Sequence, residues 1–207
     1  RFSAGMASIL KETGVETVSL APEAGSQRLR DVIRKGISDD EIFSAVEKLM
    51  ECDMVQVKLY FMVGLPTETD EDMDAIVRLV KGMEHHARRY SKGRKGFRRL
   101  TLSINQFIPK PGTPFQWHPL EDTAAVRRKI RRIAAELKGE KAVRIIHDIP
   151  KWNYIQALLS LGDRTVGRLL LAAHRREGNW AHAFREVNVN GDFYVYRPKG
   201  ADEILPW

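Results

Sequence analysis

Cysteine is nearly absent from this chain, which has one Cys among its 207 residues. A single thiol excludes an internal disulfide framework, and a chain without disulfides is typical of a reducing compartment. Long apolar runs are also absent, since none reaches the roughly 18 residues that a membrane-spanning helix needs. These absences predict a cytoplasmic protein without a membrane segment.

The chain also lacks an initiator methionine and a secretory signal, because Arg1-Phe2-Ser3 opens in the middle of a predicted helix. We therefore expect a carboxyl-terminal fragment of a larger protein. Cys52, at the end of another predicted helix, is expected to be a structural thiol.

The charge is unbalanced, with 34 Lys and Arg against 27 Asp and Glu, which gives a net charge of +7. Much of the excess lies in two runs, over residues 88–99 and 127–132. Clustered basic side chains attract the phosphates of a nucleic acid whatever its base sequence. The alternative interpretation is that both runs lie on a helix face or in a loop exposed to solvent. Gly93 and Gly96 predict that the first run forms a loop.

Helix and strand patterns alternate up to about residue 149, which predicts parallel strands joined by right-handed helical crossovers. The predicted strands are 16–21, 55–63, 99–107 and 142–147, and the predicted helices are 2–13, 39–51, 70–90 and 121–138. Strand 55–63 is rich in β-branched and aromatic residues, so we expect both of its faces to be buried.

Beyond Pro150 the pattern changes to helices, predicted over 152–161, 163–176 and 179–187, with a short strand over 192–197. Apolar residues at helical spacing are expected to form the core of this part, namely Leu158, Leu161, Val166, Leu169, Leu170 and Ala173. The sequence thus predicts two domains, an α/β body over 1–149 and a helical extension over 150–207.

The most informative segment is the turn that follows strand 55–63. Gly64 leaves the backbone open to a ligand, and Pro66 stiffens the turn. Thr69 or Asp70 can cap the next helix, whose first turn is acidic. In α/β folds, such turns at the carboxyl ends of parallel strands form ligand sites.

Three segments carry a family resemblance in the family's order and spacing. They are Ala21-Pro22-Glu23-Ala24-Gly25-Ser26 with Arg34-Lys35-Gly36, then Val63-Gly64-Leu65-Pro66-Thr67-Glu68-Thr69, then Phe107-Ile108-Pro109-Lys110-Pro111-Gly112-Thr113-Pro114. Together they resemble radical S-adenosylmethionine (radical SAM) enzymes, in the branch of methylthiotransferases and oxygen-independent coproporphyrinogen oxidases. The resemblance covers roughly residues 1–140. Segment 202–207 resembles an uncharacterised subfamily with a cobalamin-binding-like domain ahead of the barrel.

The resemblance implies the carboxyl-terminal part of a partial (β/α)6 TIM-like barrel, followed by a small helical appendage. It also implies S-adenosylmethionine (SAM) and a [4Fe-4S] cluster, which the family holds on Cys-x3-Cys-x2-Cys. Cys52 alone cannot supply three thiolates, so we expect the cluster ligands upstream of Arg1 and an inactive fragment. The missing amino-terminal part of the parent chain is then a partner.

The resemblance also implies a SAM site at three strand ends. Glu23 is the ribose contact, Ser26 lies beside it, and Lys35 can pair with the cofactor's carboxylate. Backbone groups at Met62, Val63 and Gly64 are expected to face adenine. The pocket wall is completed by Asn105, Gln106, Phe107 and Ile108. No residue is assigned a catalytic or metal-binding role.

Three residues of these segments have a structural alternative. Glu23 could cap segment 25–30 or pair with Arg28, and Lys35 could be a solvated residue at a helix end. Glu68 could stabilise its turn without contacting a ligand.

Two functions remain open from the sequence. The first is the carboxyl-terminal part of a radical SAM enzyme, which contributes to a pocket for 5′-deoxyadenosyl radical chemistry. The second is a basic module on a degenerate barrel half that binds RNA or another protein. In either case the strand beginning near Glu16 lacks one neighbour, which predicts self-association through that edge.

Overall fold

The computed structural model describes residues 3–91 and 96–207 and shows an α/β fold with a four-stranded parallel sheet in the order β1-β2-β3-β4. Its elements are α1 (Ala4–Glu12), β1 (Thr17–Glu23), α2 (Gln27–Val32), α3 (Asp39–Glu51), β2 (Gln56–Val63), α4 (Asp70–Tyr90), β3 (Arg99–Gln106), α5 (Thr123–Glu136), β4 (Val143–His147), α6 (Pro150–Leu161), α7 (Arg164–Arg175), α8 (Trp180–Val187) and α9 (Gly191–Val195). The predicted α/β class is confirmed, and the architecture is consistent with a partial TIM-like barrel.

The chain divides into two compact units. The first contains residues up to Asn105 together with Val126–His147, and the second contains Gln106–Ala125 and Asp148–Trp207. The predicted boundary near residue 149 assigned 106–125 to the first domain, whereas the structure groups this segment with the helical part. The reason is packing against residues that are distant in the chain, since Leu120 lies in the second core and its N–H donates to the carbonyl of Val195 at 2.9 Å.

One face of strand β2 is buried against helices. Val57, Leu59, Phe61 and Val63 are buried, whereas Lys58, Tyr60 and Met62 are partly exposed on the other face. The prediction that both faces are buried is therefore wrong. The buried residues of β2 share one core with apolar side chains of α3, α4 and α5, which cover that face of the strand. The alternation is hard to see in the sequence because apolar and aromatic residues occupy both faces of the strand.

Side-chain caps fix where the helices of the first unit begin. Ser38 Oγ accepts from the N–H of Glu41 at 3.2 Å, and the Glu41 carboxylate accepts from the N–H of Ser38 at 3.1 Å, which is a capping box. Thr69 caps α4, as predicted. Helix α4 then buries Met73, Ile76, Val80 and Met83 at helical spacing.

Strand β1 ends in a bulge at the edge of the sheet. Leu20 pairs with Leu59, but the next paired residues are Glu23 and Phe61, so β1 advances three residues while β2 advances two. Pro22 has no N–H for a ladder hydrogen bond, which suits an edge strand. The edge position of β1 is as predicted, and self-association through it stays a prediction.

The second unit has its own core, built from α6 to α9 and Leu120. The predicted core residues Leu158, Leu161, Val166, Leu169 and Ala173 are buried, but Leu170 is 48% exposed, so that prediction is wrong at one position. The predicted strand over 192–197 is also wrong. Most of these residues lie in α9, which ends at Val195 with Tyr196 as its C-cap residue. The Tyr196 N–H donates to the Asp192 carbonyl at 2.9 Å and Val195 is fully buried, because packing overrides the strand propensity of aromatic residues.

Within residues 3–91 and 96–207, no helix combines the length and the apolar character needed to cross a membrane.

A substitution at Gly25 tests how closely the segment after β1 packs on α4. A Cβ at Gly25 would lie 2.2 Å from the backbone nitrogen of Ile76 and 2.6 Å from the carbonyl carbon of Ala75. We expect Gly25→Ala to lower the free energy of unfolding by about 1–3 kcal/mol or more, because helix backbone cannot give way locally.

Gly139→Ala is the matched control, since a Cβ there meets nothing within 4 Å. It should change stability by no more than about 0.5 kcal/mol in the same urea titration. Equal stability of the two variants would contradict the close approach.

Candidate functional site

The carboxyl ends of β1 and β2 lie side by side in the first unit. The pairing of Glu23 with Phe61 places Glu23 next to the segment Met62-Val63-Gly64. The two segments that carry the family resemblance in this unit are therefore neighbours, and each leads into a helix, α2 or α4.

Glu23 and Lys35 form an ion pair at this corner. Lys35 Nζ lies 3.2 Å from Glu23 Oε1, and the two side chains are 31% and 25% exposed. Glu23 adopts a positive φ of 67°, which turns the chain out of the strand. Glu23 thus pairs with Lys35 and not with Arg28, while the roles of both residues toward a cofactor stay predictions. A partly exposed pair of this kind offers a ligand both an acceptor oxygen and a cation.

Arg30 holds the loop between β1 and α2 from inside the protein. Its side chain is fully buried. The guanidinium donates to the carbonyls of Ala24 (3.1 Å), Gly25 (2.9 Å) and Ile37 (3.2 Å), and to the side chains of Gln27 and Asp39. Sequence analysis missed this residue, because nothing in the local pattern distinguishes a buried arginine from one on a helix surface.

Asp72 connects the first loop to the start of α4. Its carboxylate is 2% exposed and accepts from Ser26 Oγ at 2.5 Å, from Arg28, and from both the N–H and the hydroxyl of Thr69 at 2.8 Å. Ser26 Oγ also accepts from Leu29 N–H at 3.1 Å and so caps α2. Arg28 thus contacts Asp72, and Ser26, predicted to bind cofactor, is engaged in these two structural hydrogen bonds.

The environment of Asp72 favours its charged form. Burial raises the pKa of this carboxyl group, but the hydrogen bonds from Ser26, Arg28 and Thr69 outweigh burial and lower the pKa from 3.8 to about 2. Asp72 is therefore an anion at physiological pH, and it is a structural centre that sequence analysis noted only as a helix-end acid.

The turn after β2 is closed by Glu68. Gly64 has a φ of 82°, and its N–H donates to both carboxylate oxygens of Glu68, at 3.0 and 3.1 Å. This contact agrees with the alternative in which Glu68 stabilises its own turn. Because the Gly64 N–H is engaged by Glu68, it is not available for the predicted adenine contact. The Val63 side chain is buried, so only its backbone can take part.

The predicted pocket wall divides between the two units. Asn105 belongs to the first unit, and its Oδ1 accepts from Ser103 Oγ at 3.5 Å. Gln106, Phe107 and Ile108 belong to the second unit, and Ile108 packs against its core.

Local contacts occupy the side chains of these three residues. Gln106 donates to the carbonyl of Glu121 at 2.7 Å and accepts from Asn153 at 3.3 Å. Phe107 stacks edge-to-face on Phe115, with ring centroids 5.6 Å apart. Their roles toward a cofactor stay predictions.

Cys52 lies away from this corner. It follows α3 as its C-cap residue and lines a shallow cavity of about 320 Å³ at the amino ends of the strands, together with Lys11, Glu16, Asp53 and Arg98. Among the described residues, no three His, Cys, Asp or Glu side chains are grouped to hold a metal ion. With a single Cys in the sequence, a [4Fe-4S] cluster does not fit the residues of this chain.

Comparison with known proteins decides the family. Residues 1–80 match the sequence profile of the Radical SAM superfamily. These 80 residues belong to the radical SAM superfamily. The resemblance read from the three segments is thereby confirmed, including its methylthiotransferase-like branch.

Several relatives of this radical SAM chain are longer proteins. An uncharacterized protein of Methanocaldococcus jannaschii is 36% identical over 155 residues, which are 75% of this chain and 32% of the relative. A tRNA-2-methylthio-N(6)-dimethylallyladenosine synthase of Thermotoga petrophila is 25% identical over 129 residues, or 62% and 26% of the two chains. The synthase of the same name from Aquifex aeolicus is 23% identical over 203 residues, or 93% and 37%. The chain thus spans about a third of the relatives it matches.

Titration of Asp72 supplies a test of the buried network. Because its pKa is lower in the folded than in the unfolded chain, its stabilisation is fully present above about pH 4 and is lost as the pH falls toward 2. We expect Asp72→Asn to lower the free energy of unfolding at pH 7 by about 2 kcal/mol or more, and this deficit to shrink toward pH 2.

Asp74→Asn removes a more exposed carboxylate, which pairs with Arg132 at 2.7 Å, and serves as control. It should lose less than about 1 kcal/mol at pH 7. Urea unfolding between pH 2 and 7 measures both variants, and a pH-independent deficit for Asp72→Asn would contradict the assignment.

Proposed function

We propose that this chain contributes part of the SAM pocket of a radical SAM enzyme, and that the cluster ligands belong to another part of the parent protein. One observation carries the proposal, namely the Glu23–Lys35 ion pair at a strand end that lies in register with β2 beside Met62-Val63-Gly64. An acceptor, a cation and open backbone are the groups that a ribose diol, an amino-acid carboxylate and adenine require.

Each residue has a distinct task in this proposal. Glu23 accepts hydrogen bonds from the ribose hydroxyls, and the ammonium group of Lys35 pairs with the carboxylate of the methionyl part. Carbonyl groups at Met62 and Val63 accept from the adenine amino group, and Asn105 extends the polar surface along β3. The 5′-deoxyadenosyl radical chemistry is assigned to the intact parent, and no step of it to this chain.

Equilibrium binding of SAM to the chain tests the assignment. We expect Glu23→Gln and Lys35→Met each to weaken binding about 10-fold or more, since each removes a charged hydrogen-bonding partner. S-adenosylhomocysteine should show the same dependence, because it keeps the ribose, the adenine and the carboxylate.

Lys81→Met is a control of the same chemistry, since Lys81 is exposed on α4. It should bind SAM as the unmodified chain does in titration calorimetry. Absence of SAM binding, or an unchanged affinity of Glu23→Gln, would refute the proposed pocket.

RNA is the second candidate partner that we propose. The basic run on α5 exposes Arg127, Arg128 and Arg131, and the synthase relatives carry tRNA in their names. In the other run, residues 92–95 lie outside the described part of the chain, and Arg88 lies 3.5 Å from Glu84. The α5 arginines are therefore the better candidates for phosphate contacts.

A salt titration separates this candidate from the SAM pocket. If RNA phosphates contact α5, the logarithm of the tRNA association constant should fall linearly with the logarithm of salt concentration. The slope should then decrease in magnitude by about one for each of Arg128→Gln and Arg131→Gln. Arg144→Gln, on the exposed side of β4, is the control. Steep salt dependence without SAM binding would favour the basic module, and an unchanged slope would exclude α5.

A further inference from the structure

A single buried carboxylate joins α5 to the turn after β2. Lys129 Nζ lies 2.5 Å from Glu68 Oε1, and the Glu68 side chain is 1% exposed. The same carboxylate receives the N–H of Gly64 at 3.0 and 3.1 Å. An α5 side chain is thus connected to the backbone of Gly64 through one intermediate residue.

The packing of α5 determines which of its basic residues reaches this carboxylate. Val126, Ile130 and Ile133 are buried in the core of the first unit, so Lys129, between them, points along the packed side of the helix with 19% of its side chain exposed. Arg132 instead pairs with Asp74 at 2.7 Å on the solvent side of α4. Two neighbouring ion pairs of α5 therefore differ in their partners, since Lys129 pairs with the buried turn after β2 and Arg132 pairs with the exposed side of α4.

Removal of Lys129 would take away the ammonium group that lies 2.5 Å from the buried Glu68 carboxylate. Loss of an opposite charge at this distance makes a buried carboxylate less stable in its place, because burial penalises the charged group. The hydrogen bond that Glu68 accepts from the Gly64 N–H is then weakened. Gly64 has the wide conformational freedom of glycine, and Thr67 in the same turn holds a positive φ of 66°, so the turn depends on contacts for its shape.

We propose that Lys129 is a positioning residue for the SAM-binding turn, acting through Glu68 on the backbone of Gly64. It does not contact the cofactor itself. This inference rests on the proposed function, because the turn matters for binding only if Met62-Val63-Gly64 faces SAM.

Amide hydrogen exchange at Gly64, followed by NMR, is the direct test. Lys129→Met should accelerate exchange of the Gly64 N–H about 10-fold or more, and Lys129→Arg should restore most of the protection because arginine can donate to Glu68. Arg132→Met removes the neighbouring ion pair and should leave Gly64 exchange within about twofold of the unmodified chain.

A double-mutant cycle with Glu68→Gln shows whether Lys129 acts through Glu68. The glutamine keeps an oxygen that can accept from Gly64 and carries no charge, so Lys129→Met should have little further effect on Gly64 exchange in that background. An equal effect of Lys129→Met in both backgrounds would overturn the proposal, as would equal Gly64 exchange in Lys129→Met and Arg132→Met.

SAM affinity, measured on the same variants, links the turn to binding. Lys129→Met should weaken SAM binding about 10-fold, with partial recovery in Lys129→Arg and no change in Arg132→Met. An unprotected Gly64 with unchanged SAM affinity would overturn the positioning role. If the unmodified chain binds no SAM, the proposed function fails, and Gly64 exchange still decides whether Lys129 holds the turn.

Discussion

The corner at the carboxyl ends of β1 and β2 depends on the hydrogen bonds that the buried carboxylate of Asp72 accepts. It lies at the first turn of α4 and draws Ser26, Arg28 and Thr69 to one point, so the loop after β1 and the start of α4 are held together. A charge at this depth is tolerated only because hydrogen bonds to its ionised form outweigh burial, which its lowered pKa reflects. The close approach of Gly25 to the backbone of Ile76 is possible in the same place because glycine lacks a side chain.

Charged side chains hold the neighbouring loops as well. Arg30 is buried beside the β1–α2 loop and donates to its carbonyls. In the turn after β2, the Glu68 carboxylate accepts from the N–H of Gly64. Glu23 and Lys35 are partly exposed, and the loops that carry them and their neighbours are held by buried polar groups. Buried polar groups of this kind favour one arrangement of the backbone, because any other arrangement leaves a charge unpaired.

Sequence patterns predicted the elements of the first unit well, and the reasons are local. Ser38 and Thr69 cap their helices with side chains three residues from their partners, and the apolar spacing of α4 shows its buried side directly. The predictions failed where a distant contact decided the outcome. The aromatic residues near Tyr194 favour a strand by propensity, yet the second core takes them as a short helix, and β2 looked buried on both sides although its Lys58 and Tyr60 face is partly open. Segment 106–125 likewise follows the helical unit, because Leu120 packs there.

For the candidate site as well, nearby residues could be read from the sequence and distant contacts could not. The sequence by itself determined the order of strands and helices, because capping chemistry and apolar spacing depend on residues close together in the chain. The resemblance of its motifs to a family is what singled out Glu23, Lys35 and Gly64 as candidates. Only the tertiary structure decided that Glu23 pairs with Lys35 and that Ser26 donates a hydrogen bond to Asp72. These partners lie 12 and 46 positions apart, respectively. Which polar group is buried beside which charge is set by the packing of whole helices against the sheet, and no local pattern encodes that geometry.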